Sequence, residues 1–190
     1  AKIQNNRIQL LQKLFIKQSI KISSQIGQPL TIVGVHKLIV ILELNVHTLT
    51  GIQDRTANDF QRIVSCAVFF AKQGKQVALT PKFNSPLKSE QYREIYHSLA
   101  GTKYYGKCPD FCVDGVFYEH EGYAGCNPKR SFRNMCYHGL KQSNRIIIDD
   151  CGLTYGYMYR SILGRIERKE NIAEVWVHSP SGLFMLFKAE

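Results

Sequence analysis

No apolar run in this chain approaches the roughly 20 residues a helix needs to span a bilayer, so no transmembrane segment is expected. The basic N-terminus also lacks a compact apolar stretch followed by small residues, the mark of a secretory signal, and a cytoplasmic setting is the expectation. C-x-x-C spacing is missing: the six cysteines fall at 66, 108, 112, 126, 136 and 151, which argues against a zinc knuckle. Several of them lie inside expected strands or helices, and a chain with a good core does not need disulfides, so reduced structural thiols are expected. Internal repeats and low-complexity segments are absent, as are G-x-S-x-G, H-E-x-x-H and any Gly-rich phosphate loop. Acid is scarce as well. Asp and Glu number 15 against 25 Lys and Arg, a net charge of +10, which favours a polyanionic partner, nucleic acid first and an anionic membrane surface second.

What is present centres on residues 109–121, Pro-Asp-Phe-Cys-Val-Asp-Gly-Val-Phe-Tyr-Glu-His-Glu. Two aromatic and β-branched runs flank Asp114-Gly115, the dipeptide that most readily takes the positive φ values of a type I′ turn, so a β-hairpin is predicted. A two-residue loop fixes the register, pairing Val113 with Val116, Cys112 with Phe117, Phe111 with Tyr118 and Asp110 with Glu119. By period-two alternation Asp110, Cys112, Phe117, Glu119 and Glu121 share one face, and Phe111, Val113, Val116, Tyr118 and His120 the other. Three carboxylates therefore converge. Like charges side by side on a sheet repel, so a counter-charge is called for: a divalent cation, or a Lys or Arg.

The length suits one domain, with residues 1–27 as an N-terminal amphipathic helix or appendage and 28–190 as the domain proper. Ile8, Leu11, Leu14, Phe15 and Ile22 give the first segment its stripe, a surface for docking or for a partner protein. A strand-like stretch over 30–50 carries Glu43 among aliphatic residues. A helix is expected from Thr56, burying Phe60, Ile63, Val64, Ala67, Val68 and Ala71 and ending at Gly74. A strand over 75–80 and a short helix over 88–99 follow. Lys103, Tyr104 and their neighbours in 101–107 interleave aromatics with lysines, a composition suited to stacking on bases, and are expected at the mouth of a site on the hairpin. Asn127-Pro128 caps a helix ending at Lys141-Gln142; then come a strand over 145–149, a helix over about 154–169, and a closing hairpin of 173–178 with 183–188. Lys129, Arg130 and Arg133 open the first of these helices, and Arg160, Arg165, Arg168 and Lys169 line the second. The fold class is α/β (α+β): a central mixed β-sheet flanked by helices, an α-β-β-β-α-β core followed by a helix and a C-terminal β-hairpin.

That order, with Pro109-Asp110 opening one strand and Glu119 on the next, resembles the PD-(D/E)xK nuclease core. The resemblance implies that Asp110 and Glu119, with Glu121, hold Mg²⁺ or Mn²⁺, and that a lysine stands two residues after Glu119. Glu121 occupies that position. Lys141, with Gln142, is the candidate replacement from the following helix, and Lys103, Tyr104, Arg130, Arg133, Arg145 and Arg160 are candidates to hold the strand. Residues 71–81, the Pro-Asp hairpin, 139–149 and the closing hairpin also look like C-terminal nuclease domains of bacterial polymorphic and contact-dependent toxins. In the metal-independent barnase–EndoU–colicin–RelE group among them, His178, Arg160 and Lys188 come forward and Asp110 is structural. The expected activity is hydrolysis of DNA or RNA phosphodiester bonds. The alternatives are an inactive nucleic-acid-binding module of a mobile element, a metal-independent toxin-type endoribonuclease, and a protein-interaction domain assembled through the N-terminal helix.

Overall fold

The computed structural model describes residues 46–48, 59–123 and 125–190. The expected helix over 1–23, Glu43 and the Thr56 cap lie outside them. Among the described residues seven strands form one mixed sheet in sequential order: β1 (Val46–Thr48), β2 (Val77–Leu79), β3 (Phe111–Val113), β4 (Val116–Glu121), β5 (Arg145–Asp149), β6 (Glu174–Ser179) and β7 (Gly182–Lys188). The β2-β3-β4 meander is antiparallel, β4-β5-β6 run parallel, and β6-β7 close as an antiparallel hairpin. Four α-helices accompany them among the described residues: α1 (Phe60–Lys72), α2 (Glu90–Ile95), α3 (Pro128–Gln142) and α4 (Tyr155–Glu167). This is the expected α+β class and element order. No helix of the described residues is long and apolar enough to cross a membrane.

The local signals act as their chemistry requires. Asp114 and Gly115 take φ of 48° and 84°, both positive, and the ladder reads Val113–Val116, Cys112–Phe117, Phe111–Tyr118. The Asp114 carboxylate ties the turn to β2, accepting from Gln76 N at 2.9 Å and meeting Lys75 Nζ at 2.9 Å. Pro128 stands in the first turn of α3, where its missing N–H costs nothing, and Asn127 Oδ1 accepts from Arg130 N at 3.0 Å. Thr154 occupies the N-cap of α4. Gly74 follows α1 at φ 79°, the left-handed stop its position predicts.

Each face of the sheet has its own core. Helix α1 lays Ile63, Cys66, Ala67, Phe70 and Ala71 on Val77, Leu79, Phe111, Val113, Tyr118 and Ile147. Cys66 and Phe70 extend the predicted stripe of this helix. On the other face, Phe132, Met135, Cys136 and Leu140 of α3 and Met158 and Ile162 of α4 pack on Ile146, Ile148, Val175 and Val177. The hairpin therefore splits as its alternation predicts, with Phe111, Val113 and Tyr118 under α1. Phe117 and Cys112 join Tyr92 and Tyr96 of the α2 region on the opposite side. All six cysteines are free.

Gly115 has open space around a hypothetical Cβ, so its requirement is purely conformational. Gly115→Ala is expected to lower unfolding free energy by about 1–2 kcal/mol, the cost of a left-handed non-glycine residue, measured by denaturant titration; an unchanged midpoint would mean that the turn is not held to this geometry.

Candidate active site

Two groups of polar side chains occupy the carboxyl ends of the parallel strands, where open α/β sheets place their ligands. They lie on opposite faces because β4 alternates, sending Glu119 and Glu121 to one side and His120 to the other.

On the α3 face, the end of β2 is fastened to the start of β3. Thr80 N donates to Asp110 O at 3.0 Å, the Thr80 hydroxyl donates to Pro109 O, and the buried Tyr96 hydroxyl donates to Pro81 O at 2.7 Å. Tyr96 is itself clamped between Tyr92 and Phe117, with ring centroids 4.7 and 5.0 Å away. This scaffold delivers Lys82 to the acids. Its ammonium lies 2.8 Å from Asp110 Oδ1 and 3.6 Å from Glu119 Oε2, and donates to Cys108 O at 2.6 Å. The other Asp110 oxygen accepts from His120 N at 2.8 Å, so this buried carboxylate is fixed from two directions.

Glu119 is 7% exposed, and its Oε2 makes no hydrogen bond. Burial and then the Asp110 charge raise its pKa well above the ordinary carboxylate range, against the pull of Lys82. Burial and Asp110 likewise push Glu121 up to about 7. Burial lowers the Lys82 pKa, but Asp110 and Glu119 outweigh it and the net shift is upward, which keeps the ammonium charged. Gly139 of α3 lets the helix come down on this group: a Cβ there would stand 3.1 Å from Glu121 Cγ and 3.0 Å from Ile146 Cγ2.

The donor set is all oxygen and anionic, the chemistry that suits Mg²⁺ or Mn²⁺, and the orphaned Glu119 Oε2 has the unsatisfied acceptor capacity that such an ion would fill. Asp110, Glu119 and Glu121 fit the ion by type. Their oxygens are not drawn within 4.8 Å of one another, a condition met among the described residues by Cys66, His120 and His178.

The basic group beside the carboxylates is Lys82, where the sequence pointed to Lys141. Lys141 is exposed and its Nζ rests 3.7 Å from the centre of the Tyr137 ring. With Gly139 facing the sheet, a residue two positions on points away from it, and the same helix ends at Gln142. Lys103, Tyr104 and Arg145 line a cleft of about 430 Å³ with Gly115, Val116 and Phe117, at the turn end of the hairpin and not at the carboxylate end. Tyr104 is buried, with Lys103 Nζ 5.0 Å from its ring centre, so the ring is not free to stack on a base. Arg145 meets Glu174 at 3.7 Å. Arg130, Arg133 and Arg160 are exposed on their helices. His178, Arg160 and Lys188 do not converge: Lys188 pairs with Glu174 and His178 with Leu183, about 13 Å apart along β6.

On the α1 face, Asp149 is saturated. Its Oδ1 meets His120 Nε2 at 3.0 Å and His178 Nδ1 at 3.2 Å, while its Oδ2 takes the Arg62 guanidinium and Tyr123 N at 3.0 Å. Burial raises the pKa of this carboxyl, but the two histidines and Tyr123 N overrule it and hold the group far below the usual range. Sequence reasoning singled out neither Asp149 nor Lys82 for this work. A basic residue just past the Pro81 strand stop was the available signal for Lys82, and Asp149 ends a strand of isoleucines.

No family profile matches the chain, and no curated protein matches it. Among solved structures, a chain of the CdiA-CT/CdiI toxin and immunity complex from Burkholderia pseudomallei is similar at 16% identity and a TM-score of 0.45, over 75% of this chain and 99% of that one.

Glu121 gives this site a pH signature. Its folded pKa of about 7 lies above the ordinary 4.5, so both states are protonated at low pH and the ionised side chain burdens the folded state as pH rises from 4.5 through 7. Glu121→Gln is expected to leave the melting temperature near wild type below about pH 4.5 and to raise it above about pH 7; an equal effect at both ends would show that the carboxylate is not under strain.

Proposed function

We propose that the chain is a nuclease, hydrolysing phosphodiester bonds with Asp110, Glu119 and Glu121 as the residues that hold a divalent cation and Lys82 as the basic group beside them. The observation that carries this reading is the placement of the Lys82 ammonium, 2.8 Å from Asp110 and 3.6 Å from Glu119. It supplies from the end of β2 the positive charge that a PD-(D/E)xK motif carries two residues after its Glu, where this chain has Glu121. The element order and the Pro109-Asp110 start of β3 support the same assignment.

When bound, the cation would polarise the phosphate and lower the pKa of the attacking water. The chain's own part is positional and protonic. Lys82 is fixed through Pro81 and the Cys108 carbonyl, so its charge is already directed at the place where a phosphate oxygen arriving beside Asp110 would gain negative charge. Glu121, with a pKa raised to about 7 while no ion is bound, must give up its proton before it can hold the cation. Arg130 and Arg133 on α3 and Arg160 on α4 provide exposed positive charge for the polyanion.

The same lysine also favours a second reading. Because it neutralises Asp110 without any ion, the group can stand as a charge-balanced scaffold, and the chain would then bind nucleic acid without cutting it.

With Mg²⁺ or Mn²⁺ the purified protein is expected to cut DNA or RNA. Asp110→Asn and Lys82→Gln should each lower the rate by about 10²-fold or more while Lys141→Ala stays near wild type, with melting curves confirming folded variants. Cleavage of neither polymer under either ion, with Asp110→Asn indistinguishable from wild type, would overturn the reading; binding that falls steeply with salt under the same conditions would select the scaffold.

A further inference from the structure

The α1 face carries a group that phosphodiester chemistry does not use. Cys66 comes from α1, His120 from β4 and His178 from β6, and one ligand atom from each lies within 4.8 Å of the other two. The geometry points to a transition-metal site, and we propose that Cys66, His120 and His178 bind Zn²⁺.

The hydrogen bonds behind the histidines set their tautomers. Asp149 accepts from Arg62 and Tyr123 N through Oδ2, and as an acceptor at Oδ1 it places the proton on each ring nitrogen that faces it: Nε2 in His120 at 3.0 Å and Nδ1 in His178 at 3.2 Å. In a neutral imidazole the remaining nitrogen is then a bare lone pair, His120 Nδ1 and His178 Nε2, the form in which histidine binds metal. His120 has a side-chain exposure of 0%, and its Nδ1 finds no hydrogen-bond donor. A buried lone pair left unsatisfied costs free energy unless something fills it. A metal ion does so.

Asp149 belongs behind the ligands and not among them. Its two oxygens already take four donors, His120, His178, Arg62 and Tyr123 N, the carboxylate–histidine arrangement that orients imidazoles and raises their basicity toward a metal. One sulfur and two imidazole nitrogens form a borderline-soft set that suits Zn²⁺ and not Mg²⁺, so this site and the carboxylate group on the other face differ in the ion they select. Three protein ligands leave a fourth position for water, and His178, with 16% of its side chain exposed, stands where an ion could enter. The ligand form of Cys66 is the thiolate, so loading releases the thiol proton to solvent.

Cobalt(II) titration of the intact purified protein tests the assignment. Binding of one equivalent with a thiolate-to-cobalt charge-transfer band, displaced by Zn²⁺, is the expected result. Cys66→Ser should abolish the band, Asp149→Asn should weaken binding by about 10- to 100-fold, and Lys141→Ala, exposed and remote from the group, should leave both unchanged. Should Cys66→Ser fail to fold, His178→Gln, at the exposed side of the group, is expected to weaken binding at least tenfold. A wild-type titration without the charge-transfer band, a band that survives Cys66→Ser, or tight binding retained in His178→Gln would overturn it.

Discussion

A carboxylate taken out of water beside another carboxylate must find positive charge or keep its proton, and most of the α3 face follows from that constraint acting on Glu119. Strand β4 buries it, Asp110 adjoins it, and the alternation of the same strand brings Glu121 to the same side. Lys82 is the partial answer. It stands against Asp110 at 2.8 Å but only at 3.6 Å from Glu119, so one Glu119 oxygen keeps no hydrogen bond and its proton affinity stays high. A purely structural ion pair gains most when every lone pair is satisfied, because the desolvation cost is otherwise not repaid. The remaining imbalance is what keeps the proton affinity of these acids high.

The packing around the group reads as support for that arrangement. Tyr92, Tyr96 and Phe117 stack in sequence, and the Tyr96 hydroxyl spends its hydrogen bond on the Pro81 carbonyl, one residue before Lys82. A flexible lysine whose backbone is fixed loses less freedom on meeting a ligand. Gly139 has the matching role on the other side, since any larger residue would press on Glu121 and Ile146.

Local chemistry made part of this legible in the sequence. Asp114-Gly115 readily takes two successive positive φ values that most dipeptides resist, so turn, register and facing of the hairpin all followed from one dipeptide and the period of a strand. Asn127-Pro128 and Gly74 marked helix ends for equally local reasons. Lys82 was not legible, because its value depends on β2 lying antiparallel to β3, a pairing no short-range pattern encodes. Lys141 looked the better candidate by proximity in the chain, yet helix phase turns it toward Tyr137. The 101–107 loop was misplaced for a related reason: it precedes the hairpin in sequence but packs at its turn end. Cys66, His120, Asp149 and His178 come from α1, β4, β5 and β6, and only the parallel stacking of three strands under one helix brings them together.

Strand β4 joins the two groups physically. His120 N donates to Asp110 Oδ2 on one side of the sheet while the ring of the same residue reaches Asp149 on the other. The backbone position that fixes the Asp110 carboxylate therefore also fixes the imidazole. Movement of β4 at residue 120 cannot disturb one side alone, since the 2.8 Å bond to Asp110 and the 3.0 Å bond to Asp149 share a single residue. An ion seated on the α1 face would hold His120 by its ring and steady the backbone N–H that orients Asp110. The two groups thus share three consecutive residues, Glu119, His120 and Glu121, divided between the faces by the alternation of one strand.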